Sequence, residues 1–211
     1  MNPQRGFSLV ELAVVLAIVA LLSGGLLATL AAQREQQHLN QTRQTLEDIR
    51  NALLGHAVLY GYLPCPGTVS DPANSSYGIA PASCNGAPAS EGRLPWKTLG
   101  VAETDSWGGQ WRYRVDRNFA GGAITLSTNF SVDALSVRDS AANNLTTTTE
   151  RPVALVYSAG QNMQADGHNA SFEASSAIYQ SDDISPGFDD QLIWLSRPQL
   201  YERLLAAGRL P

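Results

Sequence analysis

Gly6-Phe7-Ser8-Leu9-Val10-Glu11 leads into a run from Leu12 to Ala32 that contains no charged residue. The run is built only from Leu, Ala, Val, Ile, Gly, Ser and Thr. At a helical rise of 1.5 Å, its roughly 21 residues span about 31 Å, the thickness of a bilayer's hydrocarbon core. A core helix of that length with no polar face would be unusual, so the run reads as a membrane-spanning helix. Arg5 is the only charged side chain ahead of Glu11, which favours a cytoplasmic location for that end. An ordinary secretory signal would have a shorter apolar part and a small-x-small cleavage site, and neither is present.

Glu11 is out of place at the mouth of this helix. An ionised carboxylate at mid-bilayer costs roughly 2.5–3.5 kcal/mol, and less near the interface. Glu11 lies about 6 Å along the helix from Phe7, so it is shallow but still unfavourable without a partner. It either meets a cation or is solvated among headgroups.

With these residues in view, Gly6-Phe7-Ser8-Leu9-Val10-Glu11 resembles the prepilin cleavage and methylation motif of type IV pilins and type II secretion pseudopilins. The resemblance implies cleavage after Gly6 by a cytoplasm-facing prepilin peptidase and N-methylation of Phe7. It also implies storage in the bacterial inner membrane, with the head in the periplasm. Extraction by an inner-membrane assembly platform and packing with other pilin or pseudopilin subunits would follow. Glu11 would then pair with the Phe7 amine of an adjacent subunit. Gly24 and Gly25 would either let the helix stretch during assembly or permit close packing. Major pilins often carry a proline further along this segment; none occurs here between Gly6 and Leu63.

Beyond Ala32 the chain turns polar, and no helix breaker appears before Gly55. Leu39, Thr42, Leu46, Ile49, Leu53, Ala57 and Tyr60 recur at spacings of three and four, one stripe of an amphipathic helix. The helix is therefore expected from Phe7 to about Tyr60. The expected organisation is a leader at 1–6, a membrane and filament-core segment at 7–32, an amphipathic continuation at 33–60 and a globular head at 61–211.

Residues 61–110 are rich in Gly, Pro, Ser and Asn and read as a long ordered loop. Strand-like runs follow at 111–115, 123–132 and 152–158, with another at 192–195. The fold class is α+β: a long N-terminal helix packed on a small antiparallel sheet head, pilin-like. Ser196-Arg197-Pro198-Gln199 has the form of a capping box and opens a short tail helix, which covers the head or contacts a neighbour. If the head faces outward, Cys65 and Cys84 lie in an oxidising compartment where a disulfide is expected. Two separate buried thiols are the alternative.

Asp105-Ser106-Trp107-Gly108 followed by Trp111-Arg112-Tyr113 resembles the corresponding stretch of G-type pseudopilins. Ser158-Ala159-Gly160-Gln161-Asn162 with the later acidic segment resembles their final loop. Those pseudopilins hold calcium there, and the oxygen-rich residues Asp182, Asp183, Asp189 and Asp190, preceded by Asn162, Asp166 and Asn169, suit such a cation. A solvated acidic loop is the plain alternative.

No catalytic residue is assigned. A Ser158–His168–Asp166 set can be written down, but there is no G-x-S-x-G elbow and nothing fixes its geometry. Phosphate-binding glycine motifs and zinc-type spacings are absent. The formal net charge of −5 disfavours nucleic acid. The expected function is a structural filament subunit, not an enzyme. The alternative is a periplasmic binding or hydrolytic domain on an uncleaved signal anchor.

Overall fold

The computed structural model describes residues 8–84, 91–174 and 177–210, with the side chains of 23–29, 91 and 171–174 outside the described set. Helix α1 runs Leu9–Tyr60. Ser8 caps it: Ser8 N donates to Glu11 Oε2 at 2.9 Å, and Glu11 N donates to Ser8 Oγ at 3.1 Å. This reciprocal pair is a capping box, which satisfies N–H groups that a helix start otherwise leaves bare.

The chain forms two compact units, Met1–Asn40 and Gln41–Pro211. The division falls inside α1, so residues 41–60 belong with the head and not with a separate helical segment. In the first unit the large apolar side chains from Leu9 to Leu22 are exposed all round the helix. Among the described residues no helix is long and apolar enough to cross a membrane. The side chains of 23–29, in the middle of the charge-free run, lie outside that set.

In the second unit the stripe of α1 is the spine of the core. Thr42, Leu46, Ile49, Leu53 and Ala57 are all buried to within 2 % of complete. Tyr60, expected on the same stripe, is 60 % exposed because the chain leaves the helix there. The short elements β1 (Glu91–Arg93), α2 (Trp96–Leu99), β2 (Arg112–Val115), β3 (Ser136–Arg138), β4 (Pro152–Ser158), β5 (Ile178–Gln180), β6 (Gln191–Ser196) and α3 (Arg197–Ala206) follow. Strands β1-β2-β4-β6 make one antiparallel sheet in that order.

Strand β4 is buried at all seven positions, as a central strand covered on both faces must be. Tyr113, Val115, Ala154, Val156 and Leu195 face the α1 stripe and form the main core with it. On the opposite face, Leu155 and Tyr157 pack with Leu135 and Tyr179. Each fully buried Leu or Ile contributes roughly 1.5–3 kcal/mol, so the α1 stripe is a principal stabilising element. Beneath the second face, β3 and β5 pair in parallel, Val137 opposite Tyr179.

One expected strand is not formed. Residues 123–132 fold as turns, because their hydroxyls and backbone find local partners. Thr125 N donates to Thr128 Oγ1 at 2.9 Å, Ser131 N donates to Asp116 Oδ2 at 3.0 Å, and Tyr201 Oη donates to the carbonyls of Thr125 and Thr128 at 2.9 and 3.0 Å. Side-chain bonds of this kind compete directly with a strand ladder.

Cys65 and Cys84 form a disulfide with a Cα–Cα distance of 5.6 Å, and both are buried in the main core. The tail helix α3 carries the expected capping box at Ser196 and Gln199. Leu200 and Leu204 are buried to within 1 % of complete, and they and Leu210 belong to the main core. The tail therefore covers the head of its own chain.

Candidate functional site

Two regions carry the expected site residues. At the N-terminus, Gly6 and Phe7 lie outside the described residues. Glu11 is described, and its carboxylate accepts a hydrogen bond from its own chain's Ser8 N. Ser8 is therefore a partner that reasoning from charge alone missed. The signal was present in the sequence, since Ser8-x-x-Glu11 ahead of an apolar run has the form of a capping box.

The second region lies where the end of β4, the 3-10 segment Gly167–Ala174 and the start of β6 converge. Asp166, Asp189 and Asp190 each place a carboxylate oxygen within 4.8 Å of the others. Backbone bonds weave them together. Asp166 N donates to Asp190 Oδ2 and Asp189 N donates to Asp166 Oδ2, each at 3.0 Å, while Asn162 N donates to Asp189 Oδ2 at 2.9 Å. Asn169 Nδ2 donates to Asp190 Oδ2 at 2.9 Å, and Asn169 is itself pinned when Gln180 N donates to its Oδ1 at 2.8 Å. Gly160 closes the site from the β4 side. Its φ of +60° and the 2.4 Å that would separate an added Cβ from Asp189 Cγ leave room for glycine alone.

Two oxygens in this cluster, Asp189 Oδ1 and Asp190 Oδ1, are buried and have no hydrogen-bond partner. Burial pushes the Asp190 carboxyl up to about 7, reinforced by the neighbouring charges of Asp166 and Asp189 and opposed by the bonds from Asp166 N and Asn169. Burial also raises Asp189, with Asp166 adding repulsion and the Asn162 N–H opposing it. Crowded carboxylates with orphaned oxygens suit a hard divalent cation, which takes six to eight oxygens and supplies the missing positive charge.

Of the four acids expected at a metal site, the structure brings Asp189 and Asp190 together and adds Asp166. Asp182 is turned elsewhere, its Oδ2 accepting from Ser140 N at 2.6 Å and from Gln180 Nε2 at 3.0 Å. Asp183 is exposed. Asp166 is 23 residues from Asp189 in sequence, and the folded loop between β4 and β6 brings it near, through the bonds of Asp189 N to Asp166 Oδ2 and of Asp166 N to Asp190 Oδ2.

The hydrolase set does not assemble. Ser158 Oγ donates to Asp105 Oδ2 at 2.5 Å and accepts from Gly160 N at 3.1 Å, so both its roles are already used. The Asp166 carboxylate serves Asp189 N and Asn162 Nδ2.

Compared with known families, residues 1–27 match the prokaryotic N-terminal methylation motif. The chain thus carries the prepilin signal of type IV pilins and pseudopilins, set before a pilin-like α+β head. No curated protein matches the chain, nor does any solved structure.

Proposed function

We propose that this chain is a structural subunit of a type IV filament, a minor pilin or a type II secretion pseudopilin. The observation that carries the reading is the match of residues 1–27 to the methylation motif, which takes in the start of α1 and most of the charge-free run 12–32. Prepilin peptidase would cut after Gly6 and the new amine of Phe7 would be methylated. The charge-free run would hold the subunit in the inner membrane, head in the periplasm, until the assembly platform extracts it. Lateral packing of that run between subunits would then replace lipid. Glu11 would exchange its bond to Ser8 for the Phe7 amine of an adjacent subunit, since a cation is a stronger partner for a carboxylate than a neutral N–H.

In the head, Asp166, Asp189 and Asp190 would hold a calcium ion. A calcium ion neutralises clustered carboxylates and draws their loops together. Here Asp189 and Asp190 would offer their orphaned Oδ1 atoms, and Asn162, Asn169 and Gly160 would hold the carboxylates in place.

The test is mass spectrometry of the N-terminus of protein recovered from native membranes. N-methylated Phe7 as the first residue is expected. A chain that still begins at Met1 would reject filament subunit in favour of signal-anchored domain.

A further inference from the structure

Residues 71–74 form an exposed turn inside the loop that the disulfide closes. Asp71 stands first in it and Pro72 second, the places these residue types favour in a β-turn. The bond between them is the only Asp–Pro bond in the chain. Two backbone donors hold its acidic side. Asn74 N donates to the Asp71 carbonyl at 3.0 Å, and Ala73 N donates to Asp71 Oδ1 at 2.9 Å. Among the described residues nothing engages Oδ2 of this exposed side chain.

This arrangement prepares a carboxylate to attack the carbonyl of its own residue. Oδ2 adds to the Asp71 carbonyl carbon, while the Asn74 N–H steadies the negative charge that builds on the carbonyl oxygen. The C–N bond to Pro72 then breaks. Its electron pair stays with the proline nitrogen, which takes a proton from solvent and leaves as a secondary amine. A secondary amine holds that proton more firmly than the primary amine any other residue would release, so acid favours this bond over other aspartyl bonds. Water opens the resulting cyclic anhydride, which restores the Asp71 side chain and leaves a new C-terminal carboxylate. The turn holds the reacting groups close, which raises their effective concentration.

We propose that the chain cuts itself between Asp71 and Pro72 in acid, and that the Cys65–Cys84 disulfide keeps the two pieces joined until it is reduced. The cysteines bracket the bond. One piece carries α1 and Cys65, and the other carries Cys84 and all six strands. Both cysteines are buried in the main core, and the α1 stripe packs there against Tyr113, Val115 and Val156 of the second piece. A cut head therefore keeps its fold, and its separation needs two conditions, acid and then a reductant.

The test uses the full-length oxidised chain in detergent micelles, held at the lowest pH at which its near-ultraviolet circular dichroism is still native. Fragments ending at Asp71 and beginning at Pro72 should accumulate by mass spectrometry, and should part on a denaturing gel only after reduction. Pro72→Ala weakens the leaving group and Asp71→Glu enlarges the ring, so each should slow the cut by at least about tenfold. The chain unfolded in guanidinium chloride at the same pH should be cut several-fold more slowly, because the turn is gone. No fragment beginning at Pro72, an undiminished rate in Pro72→Ala, or equal rates in the folded and unfolded chain would overturn the proposal.

Discussion

Ser158 and Asp105, 53 residues apart, share a buried hydrogen bond of 2.5 Å that ties the end of β4 to the Asp-Ser-Trp-Gly turn. The same carboxylate accepts from Trp107 N at 2.9 Å and from Gly109 N at 2.7 Å. Next to it, Thr42 Oγ1 lies 2.8 Å from Ser106 Oγ, so the turn is also held to α1. Asp105 therefore organises a junction of helix, turn and central strand.

Ser158→Ala would leave Asp105 Oδ2 buried without its donor and should cost about 1–3 kcal/mol, read as a lower urea midpoint with unchanged slope. Asp105→Ala strips acceptors from three donors and should cost more. Equal stability of Asp105→Ala and the parent would remove the junction from the account.

Calcium at a hundredfold excess over its Kd should stabilise the parent chain by about 2.7 kcal/mol, seen as a rise in Tm. Asp190→Asn should abolish the rise, since Asp190 is the most buried of the three acids. Gly160→Ala, which drives a Cβ against Asp189, should both destabilise the head and blunt the response. If chelator and calcium give the same Tm, the acidic cluster is structural only.

Replacing both Cys65 and Cys84 by Ser should cost on the order of 3 kcal/mol, from the freed loop in the unfolded chain. The disulfide closes a sequence separation of 19, and both sulfurs lie in the main core. Denaturation of the double variant against the oxidised parent measures this. A difference well under 1 kcal/mol would mean that the loop is ordered without its bridge.

His56 sets a pH dependence. Burial holds its imidazole below the usual 6.5, with the Tyr62 carbonyl, 3.0 Å from Nδ1, pulling the other way. Its folded-state value is the lower one, so the unfolded chain takes up the proton first on acidification. The stabilisation from the neutral ring is complete above pH 6.5 and is lost as pH falls through the folded value. His56→Phe keeps an aromatic ring beside Tyr60 and Tyr62 and should show a shallower fall in Tm below that pH; parallel curves would assign the pH dependence to other groups.

Glu11→Ala should leave membrane insertion intact, or improve it, while reducing incorporation into filaments. Fractionation of membranes and of sheared filaments separates the two outcomes. Unchanged incorporation would exclude Glu11 as the residue that pairs with a neighbouring amine.

Much of the head could be read in advance because local pattern and global fold agree there. The α1 stripe from Thr42 to Ala57, strand 152–158 and the capping box at Ser196 each follow from periodicity or from turn chemistry. Residues 123–132 misled because threonine favours strands on average, and here its hydroxyl serves a turn. The three-residue strands β1, β3 and β5 are too short to show a period and exist only through their partners. The acidic cluster was half legible for the same reason: Asp189 and Asp190 are adjacent in the chain, whereas Asp166 reaches them only after folding.

Arg209 reaches back to the Leu59 carbonyl at 2.7 Å, and Leu210 is sealed into the main core. Residues 209 and 210 thus close, 150 residues further along the chain, a core that α1 opens. The head is therefore left with an open core until the chain has been made as far as Leu210, whatever has already become of α1. Products cut short of α3 would lack Leu200, Leu204 and Leu210 from that core, and a bulky fusion placed directly after Leu210 would burden the closing step of folding.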